Sequence, residues 1–343
     1  MKRLLFGALA LFVSLATAQN NDSDVTITSS NGNAVNIAQT ESLNDSDVTV
    51  GNSSDRNSLN VGQAGTENKS TVKAKADANR NLLLSGQSGT KNKSNVLVRN
   101  SNANAIALGQ SGTRNKSDID ITGDSNRNAM GIIQLGTRNE FIVDIDDDSD
   151  ENAVATVQDG STNFASKIIY DSSQNYVGST QNGSDNTSEI EILDDSNNNV
   201  VALLQDGSGN ELDMSGSNGI KRNSSNNFVA VSQSGSDNSA EIEIEDDSDW
   251  NTVVVNQADS DNDINDIEID ESSDYNFVAA AQAGSGNEIS DIEIDNDSDK
   301  NVVAVSQTGI DNFSNVDIDS DSDENVVANA QNGSDHDSSI DVD

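Results

Sequence analysis

The sequence predicts an all-β fold: a β-solenoid of thirteen strand-arc-strand repeats of about 24 residues, with amyloid-like stacking. Three observations lead there. An Asn is followed six residues later by a Gln thirteen times. Apolar and polar residues alternate with period two around each pair, as in a strand with one buried face. The 343 residues contain no Pro, which suits a chain built of paired backbone, because Pro cannot donate to a ladder.

The pairs are Asn33/Gln39, Asn57/Gln63, Asn81/Gln87, Asn104/Gln110, Asn128/Gln134, Asn152/Gln158 and Asn175/Gln181. They continue as Asn199/Gln205, Asn227/Gln233, Asn251/Gln257, Asn276/Gln282, Asn301/Gln307 and Asn325/Gln331. A second Asn stands five residues after every Gln but the last, where His336 takes its place. A Gly stands two after the Gln in eleven copies, Glu41 and Asp259 being the exceptions.

Taken in order, residues 1–18 read as a signal peptide. Lys2 and Arg3 form the basic end, Leu4 to Leu15 the apolar core, and Ala16-Thr17-Ala18 the cleavage site before Gln19. An apolar run of about a dozen residues is short of the roughly 20 that cross a bilayer, so no membrane span is expected. The repeats follow almost at once, residues 19–138 near-neutral and 139–343 strongly acidic. With no Cys, an exported chain would hold together without disulfides.

In the repeat N-V-V-A-L-L-Q-D-G-S-G-N from Asn199, alternation puts Asn199, Val201, Leu203 and Gln205 on one face. Asp206 to Gly209 then form a turn, where Gly207 can take a positive φ. The second arm is clearest after Gln181: Asn186, Ser188, Ile190 and Ile192 face one way, Thr187, Glu189 and Glu191 the other. Stacking at about 4.8 Å turns Val, Ile and Leu into dry layers and lets each Asn and Gln bond to its copies above and below. A buried amide without partners costs roughly 1–3 kcal/mol; repetition converts that liability into a ladder. Lys167 would point inward, so a bulge that turns Ile168 inward is expected there. An insertion near Gly216 to Asn223 is expected to form an edge loop.

The pattern Asn-x-φ-x-φ-x-Gln-x-Gly-x-x-Asn-x-Ser/Ala-x-φ resembles the curlin repeat of bacterial curli fibres. N-S-L-N-V-G-Q-A-G-T-E-N-K-S-T-V (57–72) and N-A-I-A-L-G-Q-S-G-T-R-N-K-S-D-I (104–119) carry it most clearly. The resemblance implies a secreted functional-amyloid subunit polymerised at the cell surface for biofilm matrix and adhesion, served by an outer-membrane export and nucleation apparatus. It also implies that the Asn and Gln residues named above are the stacking ladder. The chain departs from the family in carrying many more repeats, in starting its register close to the cleavage site, and in offering Ile or Val where the family's second strand closes on Gln.

Charge divides sharply along the chain. Residues 20–138 hold 12 Lys+Arg and 11 Asp+Glu, whereas 139–343 hold 4 against 48. Outward acids such as Glu241, Glu243 and Glu245 are set to stack on like acids, at on the order of 1 kcal/mol per pair before screening. They read as a solubilising face, or as a switch that acid, salt or divalent cations would release.

Other chemistries fit poorly. The Asp runs 144–148 and 317–323 suggest only weak, delocalised Ca²⁺ binding, since Glu324 falls where an EF-hand needs Gly; no cofactor is expected. One His and no Cys furnish neither a metal cluster nor a triad, so no enzyme is expected. His336 reads as a terminal ladder substitute. Trp250 and Tyr275 are expected to pack across a corner of their arcs, contact with a surface ligand being the alternative. Basic residues without interleaved aromatics argue against nucleic acid. Register running from Val25 to Val342 favours open, self-assembling ends. The alternative reading is a monomeric acidic β-solenoid that acts as a surface adhesin or binds cations or another ligand.

Overall fold

A computed structural model describes residues 20–214, 219–264, 266–319 and 321–342; the signal peptide assigned to 1–18 lies outside them. The described residues are all-β and form two compact units, one ending at Ser161 and one beginning at Thr162. Each is a parallel β-solenoid.

In the first unit, the Gln-bearing strands Ala34–Ser42, Ser58–Thr66, Leu82–Thr90, Ala105–Thr113, Ala129–Thr137 and Ala153–Ser161 pair in parallel, each on the next. Register is strict: Gln39 lies over Gln63, Gln63 over Gln87, and Gln134 over Gln158. The second arms Asp22–Ile27, Asp45–Gly51, Lys69–Lys75, Lys93–Arg99, Lys116–Ile121 and Glu140–Asp146 form the opposing sheet. The two sheets meet so closely that Ser85 shares hydrogen bonds with Ser70 at 3.0 Å and Ser94 at 2.7 Å. A one-residue slip would turn every inward side chain to solvent, so the alternation itself holds the register.

In the second unit the Gln-bearing strands are Tyr176–Ser184, Val200–Ser208, Phe228–Ser236, Thr252–Ser260, Phe277–Ser285, Val302–Ile310 and Val326–Ser334. Val200–Ser208 does not stop at Gln205 as expected. The strand runs on through Gly207, whose φ of 133° redirects the chain while keeping it paired with Gly183 and Gly235.

The second arms of this unit depart from the expected strands. Phe164–Tyr170 is continuous, but the arm chosen above as clearest holds only the two-residue pieces Thr187–Ser188 and Glu191–Ile192. Among the described residues beyond Ile192, the second arms show only isolated bridges, such as Asp263 with Glu288. Inward burial persists nonetheless: Ile242, Ile267 and Ile292 are each fully buried. What is lost is extended backbone, with positive φ at Ile244, Ile269 and Ile294.

The two units also differ in their outward charge. In the first, outward positions hold both signs, and Lys69 bridges Asp45 at 2.9 Å while Lys73 bridges Asp47 at 3.1 Å, although Lys69, Lys93 and Lys116 also stack on one another. In the second, Asp266, Glu268 and Asp270 lie among other acids, and like charges directly opposite destabilise a ladder.

The bulge expected at Lys167 is absent. Phe164–Tyr170 keeps its alternation, Ile168 stays half-exposed, and Lys167 is fully buried with its Nζ donating to Ser188 Oγ at 2.9 Å. A register shift would have expelled Ala165 and Ile169 from the core, so a single amine is buried in their place. Residues 215–218 of the expected edge loop lie outside the described residues; on either side of them Leu212, Met214 and Ile220 are fully buried.

Candidate functional site

The interior ladders are the most repeated chemical feature of both units. Each of the thirteen Gln residues is buried, as is each of their Asn partners except Asn325, which is half-buried. In the first unit Gln39 Nε2 donates to Gln63 Oε1 at 2.8 Å, Gln63 to Gln87 at 2.9 Å, Gln87 to Gln110 at 2.8 Å, Gln110 to Gln134 at 2.7 Å, and Gln134 to Gln158 at 2.9 Å. In the second the chain of donors runs from Gln181 through Gln205, Gln233, Gln257, Gln282 and Gln307 to Gln331, at 2.9–3.1 Å. Each of these Gln donors points toward the next turn, so each Gln ladder has a polarity. The second Nε2 hydrogen reaches across the interior to a backbone carbonyl, as from Gln63 to Asp45 at 2.9 Å.

The Asn of each pair holds the arc. Asn33 Oδ1 accepts from the backbone N–H of Asn57 at 2.8 Å, and Asn57 Nδ2 donates to the Ala78 carbonyl at 2.7 Å. The same bonds recur up to Asn301, whose Oδ1 accepts from Asn325 N–H at 2.8 Å. The second Asn does similar work at the other arc: Asn44 Nδ2 donates at 2.8 Å to both the Thr40 and Gly65 carbonyls. His336 substitutes for that Asn chemically as well as positionally. Its Nε2–H donates to the Asn332 carbonyl at 3.2 Å, four residues back as in the Asn copies, and its backbone N–H meets Asn312 Oδ1 at 3.3 Å.

Two further ladders escaped the sequence reading. A Ser three residues before the Asn is buried in most arcs, and the following turn's Ser donates its backbone N–H to it, as from Ser149 to Ser125 at 3.1 Å and from Ser273 to Ser248 at 3.0 Å. Two residues before the Asn, an Asp, Asn or Ser accepts the preceding turn's backbone N–H: Asp274 from Asp249 at 2.6 Å, Asp299 from Asp274 at 2.7 Å, Asp323 from Asp299 at 2.8 Å. Part of the Asp richness therefore caps arcs. The recurrent spacing from the Asn was the available signal. Trp250 and Tyr275 do not cross a corner; their rings stack at 6.2 Å with planes 3° apart and stay half-exposed.

The acidic arms form the second feature. Carboxylate oxygens of Glu243, Glu245 and Glu268 lie within 4.8 Å of one another. Lys221 supplies the local cation, its Nζ 2.6 Å from Glu243 and also paired with Glu245, so a hard metal ion would have to displace it. Lys221-Arg222 is the one adjacent basic pair after residue 139, which is the signal by which it could have been found.

Burial, then the neighbouring Asp266 and Glu243, pushes Glu268 up to about 7. Burial and Asp291 do the same to Glu293, also to about 7. Between the ordinary 4.5 and about 7 the folded form thus holds protons that the unfolded chain has released. This contribution to stability is present below that window and lost as pH rises through it. The melting temperature should therefore fall from pH 5 to pH 7, and Glu268→Gln with Glu293→Gln should flatten the fall. A wild-type melting temperature that rises over the same interval would exclude this account.

The outward face of the Gln-bearing sheets is the third feature. In the first unit it carries an apolar groove of about 320 Å³ lined by Leu82, Leu84, Ala107, Gly131 and Ala155.

Fold and ladders together define a parallel β-solenoid repeat protein with axial amide ladders inside. A scan against family models finds no match, and a search of curated proteins finds none either.

Proposed function

We propose that the chain is a secreted structural subunit of a curli-like functional-amyloid fibre, serving biofilm matrix, cell adhesion and aggregation by stacking of its repeats. The observation that carries this reading is the polarity of the Gln ladders combined with open edges. Among the described residues, Ala34–Ser42 and Val326–Ser334 each pair along one edge only. The ladder donates from Gln39 toward higher residue numbers, so the Oε1 of Gln39 suits the amide of a Gln331 arriving on another copy. Joining edges head to tail continues both the backbone and the amide ladder, whereas an unpaired strand edge templates further pairing. No cofactor enters this role, and the acidic arms would set the solution conditions under which copies approach.

The test is thioflavin fluorescence on residues 19–343, with and without preformed seeds. A sigmoidal rise whose lag disappears on seeding is the expected result. A flat trace from a β-rich monomer would overturn it in favour of a surface adhesin or ligand-binding solenoid.

A further inference from the structure

We propose that the outward face of the Gln-bearing sheet in the second unit is a self-pairing surface, and that its occupant is the same face of a second copy. In-register stacking sorts this face into columns. The first outward position after each Asn builds a ridge that includes Tyr176, Val200, Phe228, Phe277 and Val302. Phe228 and Phe277 are 40% and 41% exposed. Two residues further along each strand runs a furrow of small side chains, Ala202, Ala230, Ala279, Ala304 and Ala328, broken only by Val254 and ending at Gly178, against which the Tyr176 ring lies.

Charge and shape choose the occupant. The chain has a net charge of −41, yet none of the first, third and fifth residues after the Asn of any Asn/Gln pair in this unit is charged. Copies that repel through their acidic arms can therefore meet here without opposing carboxylates. Ridge and furrow lie about 7 Å apart, two residues along a strand. A twofold axis parallel to the stacking direction and midway between them sets each ridge into the other copy's furrow, an isologous contact of the dry, interdigitated kind. About that axis the strands of the two copies overlap over the three residues from ridge to furrow, roughly 330 Å² per copy or about 660 Å² in all, the size of a weak, concentration-dependent contact. Contact through this face is lateral, so it goes beyond end-to-end growth and does not depend on it.

Because the chain contains no Cys, single cysteines can report the contact. Full-length chains carrying Ala279→Cys in the furrow or Asp185→Cys on an exposed arc would be treated with a short bismaleimide. Sedimentation velocity would compare the wild type with Ala230→Glu/Ala279→Glu, whose fold is checked by circular dichroism. The expected result is a covalent dimer from Ala279→Cys, little from Asp185→Cys, and loss of the wild-type dimer in the double glutamate variant. Equal cross-linking at both sites, a wild type that sediments as a monomer at every concentration, or a dimer indifferent to the glutamates would overturn the proposal. So would zwitterionic vesicles taking up the face in preference to a second copy. Cross-linking without seeded growth would sink the fibre reading and leave this one standing; seeded growth without cross-linking would do the reverse.

Discussion

Replacing Gly112 by Ala is expected to destabilise the first unit by roughly 2–4 kcal/mol, among the largest effects of any single methyl group in this chain. Gly112 has φ of 116°, and a Cβ built there would stand 1.9 Å from the carbonyl oxygen of Gly136 on the next turn. Both obstacles belong to the backbone, so no side-chain rotation relieves them. Asp259 and Glu41 occupy the equivalent position only with φ reduced to 77° and 70°, against 97–138° for the glycines there, and the Asp259 carboxylate in addition accepts the Gly284 N–H at 3.2 Å. Ala has no such acceptor. Gly62 is the internal control, since nothing lies within 4 Å of its added Cβ and no left-handed φ is needed. Gly62→Ala should be neutral or slightly stabilising, because Gly loses more freedom on folding than Ala. Urea unfolding of the two variants beside the wild type checks the pair; equal midpoints for both would remove the steric argument.

Lys167→Met should act in the opposite direction and raise stability at pH 6 by roughly 3–4 kcal/mol. Burial lowers the Lys167 amine to about 7 from its ordinary 10.5. Below about pH 7 the folded form buries a cation, and between pH 7 and 10.5 it forgoes a proton that the unfolded chain keeps, at ~1.4 kcal/mol per unit of displacement. The bond from Nζ to Ser188 Oγ, at 2.9 Å, returns about 1 kcal/mol of this. Met fills nearly the same volume without the amine. Since the folded value lies below the unfolded one, wild-type stability should climb between pH 7 and 10.5. The Met variant should lose that climb. This window is separate from the acidic one, where the carboxylates make stability fall toward pH 7, so a pH series resolves both. A Met variant no more stable than wild type at pH 6, with the alkaline climb intact, would show that Lys167 is not the group responsible.

The strand pattern, the inward Asn, Gln, Val and Ile, and the stacking register were legible because each is periodic. Period two assigns a face, and period 24 assigns a neighbour. A spacing as regular as that from Asn199 to Gln205 leaves few other places for the amides to go. His336 could be read as a ladder substitute for the same reason, since position alone identified its partners. The Ser and Asx ladders of the arcs were periodic too, but Ser, Asp and Asn are ordinary turn residues, so only their fixed spacing from the Asn, not their presence, set them apart.

What the amino-acid order determined by itself was therefore the unit of repetition and the identity of whatever lies one turn away, because both follow from spacing along the chain. Only the tertiary structure decided how far the second arms stay extended, whether Lys167 turns in or out, and which arc acids accept backbone N–H groups. Those outcomes are balances between terms of similar size: ladder hydrogen bonds against repulsion among stacked carboxylates, one buried amine against a whole strand's register. Spacing names the competitors in such a balance. Which one prevails depends on distances between turns and on how much water each group keeps, and both exist only once the turns are stacked.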